Sequence, residues 1–235
     1  MTSRSQDPAV HQGDSLTIRS FPGGPFQENG YLVECRSSGA LAVIDPGHTA
    51  PAIVEAIGGG ASRVEAIYLT HGHLDHVEGI PEVRASIDAP IHLHPADRFL
   101  YEGAVEQARA FGLPSPGPMP PVDADLTPGT PVPLGDTEFE VRLAPGHAPG
   151  HVIFHHPGDG VALVGDVIFH RSIGRTDLPG GSMQELMESI RREVLSLPDD
   201  TRLFTGHGPP TTVAGERMGN PFLISQARGG AGEFA

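Results

Sequence analysis

Hydrophobic positions along the chain fall in short runs punctuated by glycine and proline. In the first half, Leu16–Phe21, Tyr31–Cys35 and Leu41–Ile44 read as strands, flanked by the turn signals Asn29–Gly30 and Ser37–Ser38–Gly39. Ala52–Ile57 reads as a short helix closed by Gly58–Gly59–Gly60. Val64–Leu69 is the next strand, Gly79–Ile87 a helix, Ile91–His94 a strand, and Pro95–Phe111 one longer helix with apolar residues at helical spacing. Gly112 to Pro121 (GLPSPGPMPP) is a loop, either a surface connection or a wall of a cleft. Strands return at Phe139–Leu143, Val152–His155 and Val161–Val164. An amphipathic helix over Met183–Leu197 stops at Pro198, followed by a strand at Leu203–Thr205 and a helix at Thr211–Met218. Strands and helices recur in two similar halves, which predicts α/β layers and excludes a helix bundle or a pure β-barrel. One domain is expected over 15–224, between a flexible segment at 1–14 and a flexible glycine-rich tail at 225–235.

Composition narrows the class of partner. The 235 residues are enough to bury a core, and 38% hydrophobic with 19% charged residues is a globular balance, not a disordered one. The net charge of −14 repels phosphate backbones and argues against nucleic acid as a partner. No apolar stretch approaches the roughly 20 residues that span a bilayer. The start, MTSRSQDPAVHQGDS, has no apolar signal region, so a cytoplasmic location with no membrane partner is expected. Cys35 is the single cysteine, read as a buried structural thiol, and an intramolecular disulfide is excluded.

Chemistry concentrates where Val64–Leu69 ends. Thr70–His71–Gly72–His73–Leu74–Asp75–His76 places four potential ligands within six residues, on a loop tightened by Gly72. Imidazole and carboxylate together suit a borderline divalent metal such as zinc. Four such groups are too many for one catalytic ion that keeps an open position, which suggests a pair of ions. Three more candidates follow later strands: His147 after Phe139–Leu143, Asp166 after Val161–Val164, and His207 after Leu203–Thr205. Each has an adjacent glycine that lets backbone approach closely. A single one of them would read as a surface loop residue; the set at successive strand ends reads as a metal site. His151 is placed behind the site, His92, His94, His155 and His156 in structural roles, and His11, His48 and His170 in loops, with His170 able to approach a substrate.

The pattern His71-x-His73-x-Asp75-His76, then His147, Asp166 and His207, resembles the full ligand signature of the metallo-β-lactamase superfamily, from about Leu16 to about Leu223. Ile44–Asp45–Pro46–Gly47 resembles the family's early loop, whose aspartate supports the metal loop. Ser172–Ile173–Gly174–Arg175–Thr176–Asp177 and Asn220–Pro221–Phe222–Leu223 resemble the glyoxalase II-like (hydroxyacylglutathione hydrolase-like) branch, particularly its short bacterial members. The resemblance implies an αββα sandwich. It also implies one metal on His71, His73 and His147 and a second on Asp75, His76 and His207, with Asp166 bridging. His76 and Asp166 separate the pattern from true β-lactamases. Two divalent ions are implied, zinc first, with iron and manganese accepted in this branch.

Such a site would hydrolyse a thioester such as S-lactoylglutathione by attack of a metal-bridging hydroxide that Asp75 orients. A thiolate leaves with a conjugate-acid pKa of about 8.5, so little general-acid help is needed. Arg175 is the expected substrate-binding cation by the resemblance, against a salt bridge to Asp177, and Arg171 is a second cation in the same loop. Little chain follows His207, whereas full-length glyoxalase II carries a longer helical region there that supplies much of the glutathione pocket. Weak glutathione binding or a different thioester is therefore expected. The rivals are a mononuclear iron persulfide dioxygenase and a lactone or ester hydrolase on the same scaffold. Nucleases and a decayed binding module are disfavoured by the acidic charge and the filled ligand positions.

Overall fold

Strands covered on both faces carry near-continuous apolar runs, and the central strands of this chain are of that kind. In the computed structural model, which describes residues 9–228, a seven-stranded sheet runs in sequence order. Its strands are β1 (Ala9–Gln12), β2 (Leu16–Gly23), β3 (Glu28–Cys35), β4 (Leu41–Ile44), β5 (Val64–Tyr68), β6 (Ile91–Leu93) and β7 (Ala124–Asp125). β1 to β4 pair antiparallel and β4 to β7 parallel. The second sheet has the order β15 (Thr211–Thr212), β14 (Arg202–Thr205), β11 (Val161–Gly165), β10 (Val152–His156), β9 (Thr137–Leu143), β8 (Val132–Leu134). A separate small hairpin joins β12 (Ile168–Phe169) and β13 (Ser172–Ile173).

Side-chain alternation sorts these strands into three apolar layers. Ile18, Tyr31, Val33, Ile44 and Tyr68 of the first sheet meet Phe139, Val141, Phe154, Leu163 and Phe204 of the second between the sheets. The opposite face of the first sheet, with Leu32, Val43 and Ile67, packs on helices α1 (Ala50–Ile57), α2 (Leu74–Val77), α3 (Ile80–Ser86), α4 (Arg98–Glu102) and α5 (Ala104–Phe111). The outer face of the second, with Ile153, Ala162 and Leu203, packs on α6 (Met183–Ser189) and α7 (Val213–Gly219). Helix α8 (Pro221–Arg228) follows. The fold is therefore the expected αββα sandwich. At roughly 1.5–3 kcal/mol for each fully buried large apolar side chain, these layers dominate the favourable side of folding.

Direction sets the site. β9 and β11 both run antiparallel to β10, and β14 runs parallel to β11, so all three end at one edge of the second sheet. β4 and β5 are parallel and end together in the first sheet. The loops after these five strands carry Asp45, His71 to His76, His147, Asp166 and His207.

Several local expectations change. Residues 1–8 lie outside the described residues; within the segment expected to be flexible, Ala9–Gln12 pairs with β2. α8 extends to Arg228, into the expected tail, of which 229–235 lie outside the described residues. The helix expected over Pro95–Phe111 is a 3₁₀ turn at Pro95–Asp97 followed by α4 and α5, which meet at Gly103, the residue costliest to a continuous helix short of proline. The helix expected over Met183–Leu197 becomes α6 plus one π-helical segment at Ile190–Val194. Thr211 and Thr212, expected to open the last helix, pair with β14 instead, and α7 begins at Val213. Cys35 is buried, as expected. Among the described residues no helix is long and apolar enough to cross a membrane.

The Asp159 carboxylate, 1% exposed, fastens the β1–β2 turn to the second sheet. It accepts from the backbone N–H groups of Ser15 at 3.0 Å and Leu16 at 2.8 Å. Asp159→Ala strands both donors and is expected to cost about 1–3 kcal/mol in urea unfolding; an unchanged midpoint would refute this anchoring role.

Candidate metal centre

The site starts from a backbone that only a short polar side chain tolerates well. Asp45, at the end of β4, has φ 48°, in the left-handed region, and is 1% exposed. Its carboxylate accepts from the Thr70 amide at 2.7 Å and the Thr70 hydroxyl at 2.6 Å, and from His76 Nδ1 at 3.1 Å. Because the Thr70 hydroxyl spends its proton on Asp45, its contact of 3.0 Å with His71 Nδ1 makes His71 the donor. His147 Nδ1 donates to the Arg175 carbonyl at 2.8 Å and His207 Nδ1 to the Phe26 carbonyl at 2.9 Å. Four imidazoles thus commit Nδ1 to an outer acceptor and turn Nε2 to the interior.

The inward groups converge. His71, His73 and His147 form one set, and Asp75, His76 and His207 another, each with ligand atoms within 4.8 Å of one another. A third combination, Asp45 with His71 and His76, is already bonded to Thr70 and reads as support. His73 Nδ1 lies 2.8 Å from His147 Nε2. Asp166 stands between the sets: Oδ1 is 3.3 Å from His76 Nε2, while Oδ2 is 3.4 Å from His147 Nε2 and 3.3 Å from His207 Nε2. Asp75 Oδ2 is 3.3 Å from His207 Nε2. Close approach here requires glycine, as at Gly206 and Gly146. A Cβ on Gly206 would lie 1.9 Å from Asp166 Oδ1, and one on Gly146, at φ +123°, would lie 2.1 Å from the Leu186 amide nitrogen.

Do these residues fit metal ions? His71 Nε2, His73 Nε2, His76 Nε2 and Asp166 Oδ1 are buried and make no hydrogen bond. An orphaned buried polar atom costs about 1–3 kcal/mol, so a cluster of them is stable only with cations or protons to serve. The donor set of imidazole and carboxylate suits divalent ions. Proton affinities divide accordingly. Burial and neighbouring imidazoles push His71 well down, and burial with His147 pushes His73 down to about 3. Burial also lowers His76, but the charges of Asp166 and Asp75 outweigh it and raise the group well above its ordinary value. For His207 burial is likewise overcome by contacts with Asp166 and Asp75, which push it up to about 10. Burial would raise Asp166, yet His76 and His207 hold its carboxyl well below the usual range.

The model of the family described as "Metallo-beta-lactamase superfamily" matches residues 23–207. The chain belongs to this superfamily. It is 37% identical to the hydroxyacylglutathione hydrolase GloC of Haemophilus influenzae, over 90% of this chain and 100% of that one. Among solved structures, that of TTHA1623 in a di-iron-bound form is 43% identical, with a TM-score of 0.77, covering 87% of this chain and 99% of that one. That of the BLEG-1 B3 metallo-beta-lactamase is 36% identical, with a TM-score of 0.79, over 88% and 99%. Membership of this superfamily makes the chain a metal-dependent hydrolase by class.

All seven candidate residues of the superfamily pattern meet at one edge. His151 sits behind them as expected, stacked on His71 with centroids 4.7 Å apart, and its Nε2 accepts from the Asp166 amide at 3.0 Å. Arg175 reaches the neighbouring pocket, but its guanidinium pairs with Asp177 through two contacts of 2.7 Å. His170 turns to Glu216, 3.7 Å away, and does not line that pocket, nor does Arg171. Two supports were not legible. Asp97, buried, accepts from the amides of Gly72 and Gly150, and burial lifts its carboxyl to about 6. Gln107 holds the metal loop through the Leu74 amide and the Gly72 carbonyl. Both act across long sequence separations, with no motif at their own positions to signal it.

Asp45→Asn keeps the shape but not the charge that holds Thr70 and His76; metal affinity is expected to fall about 10–100-fold in competition with a chelating dye. Loading the metal-free protein at pH 7 should release about two protons per chain, from His76 and His207, because both are raised and both must present a lone pair. Affinity therefore rises with pH across the neutral range. Calorimetry in buffers of different ionisation enthalpy counts the protons, and a release near zero would contradict the raised proton affinities of His76 and His207.

Proposed function

We propose that this protein is a binuclear metal-dependent hydrolase that cleaves a thioester, with S-lactoylglutathione the first substrate to test. The observation that carries the reading is Asp166, whose two carboxylate oxygens face imidazoles of both sets. In this reading His71, His73 and His147 hold one ion, Asp75, His76 and His207 the other, and Asp166 both. Zinc is the leading metal on the ligand types; the di-iron form of a 43% identical neighbour keeps iron in contention beside manganese. Two such cations supply hydroxide at neutral pH and a Lewis acid for the scissile carbonyl.

The chain's own groups account for the rest. Asp75, with its side chain 20% exposed at the pocket floor, is the carboxylate that orients the nucleophile and takes up its proton. Water adds its oxygen to the acyl carbon, the carbon–sulfur bond breaks, and a carboxylate and a thiol leave. Outside the metal cluster the pocket offers no ionisable side chain except Arg175, so no dedicated acid stands ready for a poor leaving group. That favours a thiolate over an amine. The relation to a hydroxyacylglutathione hydrolase supports the same choice. A mononuclear iron persulfide dioxygenase would use the same ligand types, so metal content and oxygen uptake separate the two readings. A lactone or ester hydrolase remains the second reading, since the nucleophile is the same.

The test is a panel of thioesters, lactones, a β-lactam and glutathione persulfide, run on protein loaded to measured metal content. Thioester hydrolysis is expected, with Asp166→Ala lowering kcat by about 10²–10⁴-fold. One iron per chain with oxygen uptake on the persulfide, or no thioester turnover at full metal content, defeats the proposal.

A further inference from the structure

A pocket of about 300 Å³ opens directly from the metal cluster. Its walls are Phe26, Phe111, Phe169, Ile173, Leu178 and Leu74. Phe26 and Phe111 meet edge to face at 5.6 Å and are 40% and 41% exposed, although large aromatic side chains on a surface normally find cover. Two polar side chains outside the cluster also reach this space, and both are committed elsewhere. Gln107 accepts from the Leu74 amide through its oxygen and donates to the carbonyls of Gly72 and Leu100 through its nitrogen. Arg175 is neutralised by Asp177 in a two-point pair.

Resting on the thioesterase reading, we propose that this pocket selects thioesters that are apolar and uncharged around the scissile carbonyl, and that Asp177 is the residue that sets this preference against anionic ones. A glutathione thioester brings two carboxylates and an ammonium. Such a ligand needs uncommitted cations or hydrogen-bonding side chains, and this pocket has none outside the cluster. A substrate carboxylate that displaced Asp177 from Arg175 would gain only what Asp177 gave up, and Asp177 would stay two residues away as a repelling charge. The protein's charge of −14 acts in the same direction. The aromatic walls, by contrast, gain with every methylene they remove from water.

The test compares S-butyryl-N-acetylcysteamine with S-butyrylglutathione on the metal-loaded full chain, with thiol release as the readout. The neutral ester is expected to lead at least tenfold in kcat/KM, the difference lying in KM. Lengthening its acyl chain by two methylenes should raise kcat/KM roughly tenfold. Asp177→Asn should lower KM for the glutathione ester several-fold, and Phe111→Ala should raise KM for the neutral ester about tenfold. Binding is read apart from chemistry with the uncleavable thioethers S-butyl-N-acetylcysteamine and S-butylglutathione. The neutral one should bind more tightly, with an affinity indifferent to salt. Equal or better use of the glutathione ester overturns this inference alone; no cleavage of either ester overturns the thioesterase reading beneath it.

Discussion

The carboxylate of Asp45 is the contact on which the metal loop depends. It joins the end of β4 to the end of β5 by binding both the amide and the hydroxyl of Thr70, and reaches α2 through His76. By taking the Thr70 hydroxyl proton it also decides which nitrogen of His71 carries hydrogen. One buried charge therefore sets the orientation of ligands from both sets. The left-handed backbone at Asp45 is strained for a residue with a Cβ, though aspartate is among the residues that bear it best. Three hydrogen bonds in a buried setting outweigh that cost.

Around this clamp the two halves of the chain meet as equals. The first sheet contributes the His71 to His76 loop, and the second contributes His147, Asp166 and His207 from strands that end at the facing edge. Asp97 ties the two loops together by receiving one amide from each, Gly72 and Gly150. A charge-dense cluster in a buried place is tolerable only if each group has a fixed counterpart, and the outer acceptors supply most of these.

Much of this was legible in the sequence because ligands at strand ends leave a local record: an apolar run, a glycine, then histidine or aspartate. His147, Asp166 and His207 each follow that form, and His71 follows its apolar run through Thr70 with Gly72 behind it. The layered architecture was legible too, since near-continuous apolar runs such as Tyr31–Cys35 predict strands covered on both faces. What was hidden acts across the chain. Nothing at Asp97 or Gln107 announces a partner loop 25 to 53 residues away or 33 to 35 residues away. The short strands β1, β7 and β15 exist only because a neighbour offers an unpaired edge. The break at Gly103 reflects competition between one long helix and two short ones that both cover the sheet.

The segment after β15 braces the pocket from outside. Glu216 and Asn220, both fully buried, grip the β12–β13 hairpin: Glu216 accepts from the Arg171 amide, and Asn220 donates to the Ser172 carbonyl. The hairpin in turn carries Phe169 and Ile173 into the pocket wall, and the residue beyond it, Arg175, lends its carbonyl to His147. Hydrogen bonds and the intervening chain from Ser172 to Arg175 thus link α7 to an inward-facing imidazole. Helix α7 and Asn220 thus brace a ligand and an apolar wall. These contacts fix shape, and the selectivity of the site rests on the side chains that the shape presents.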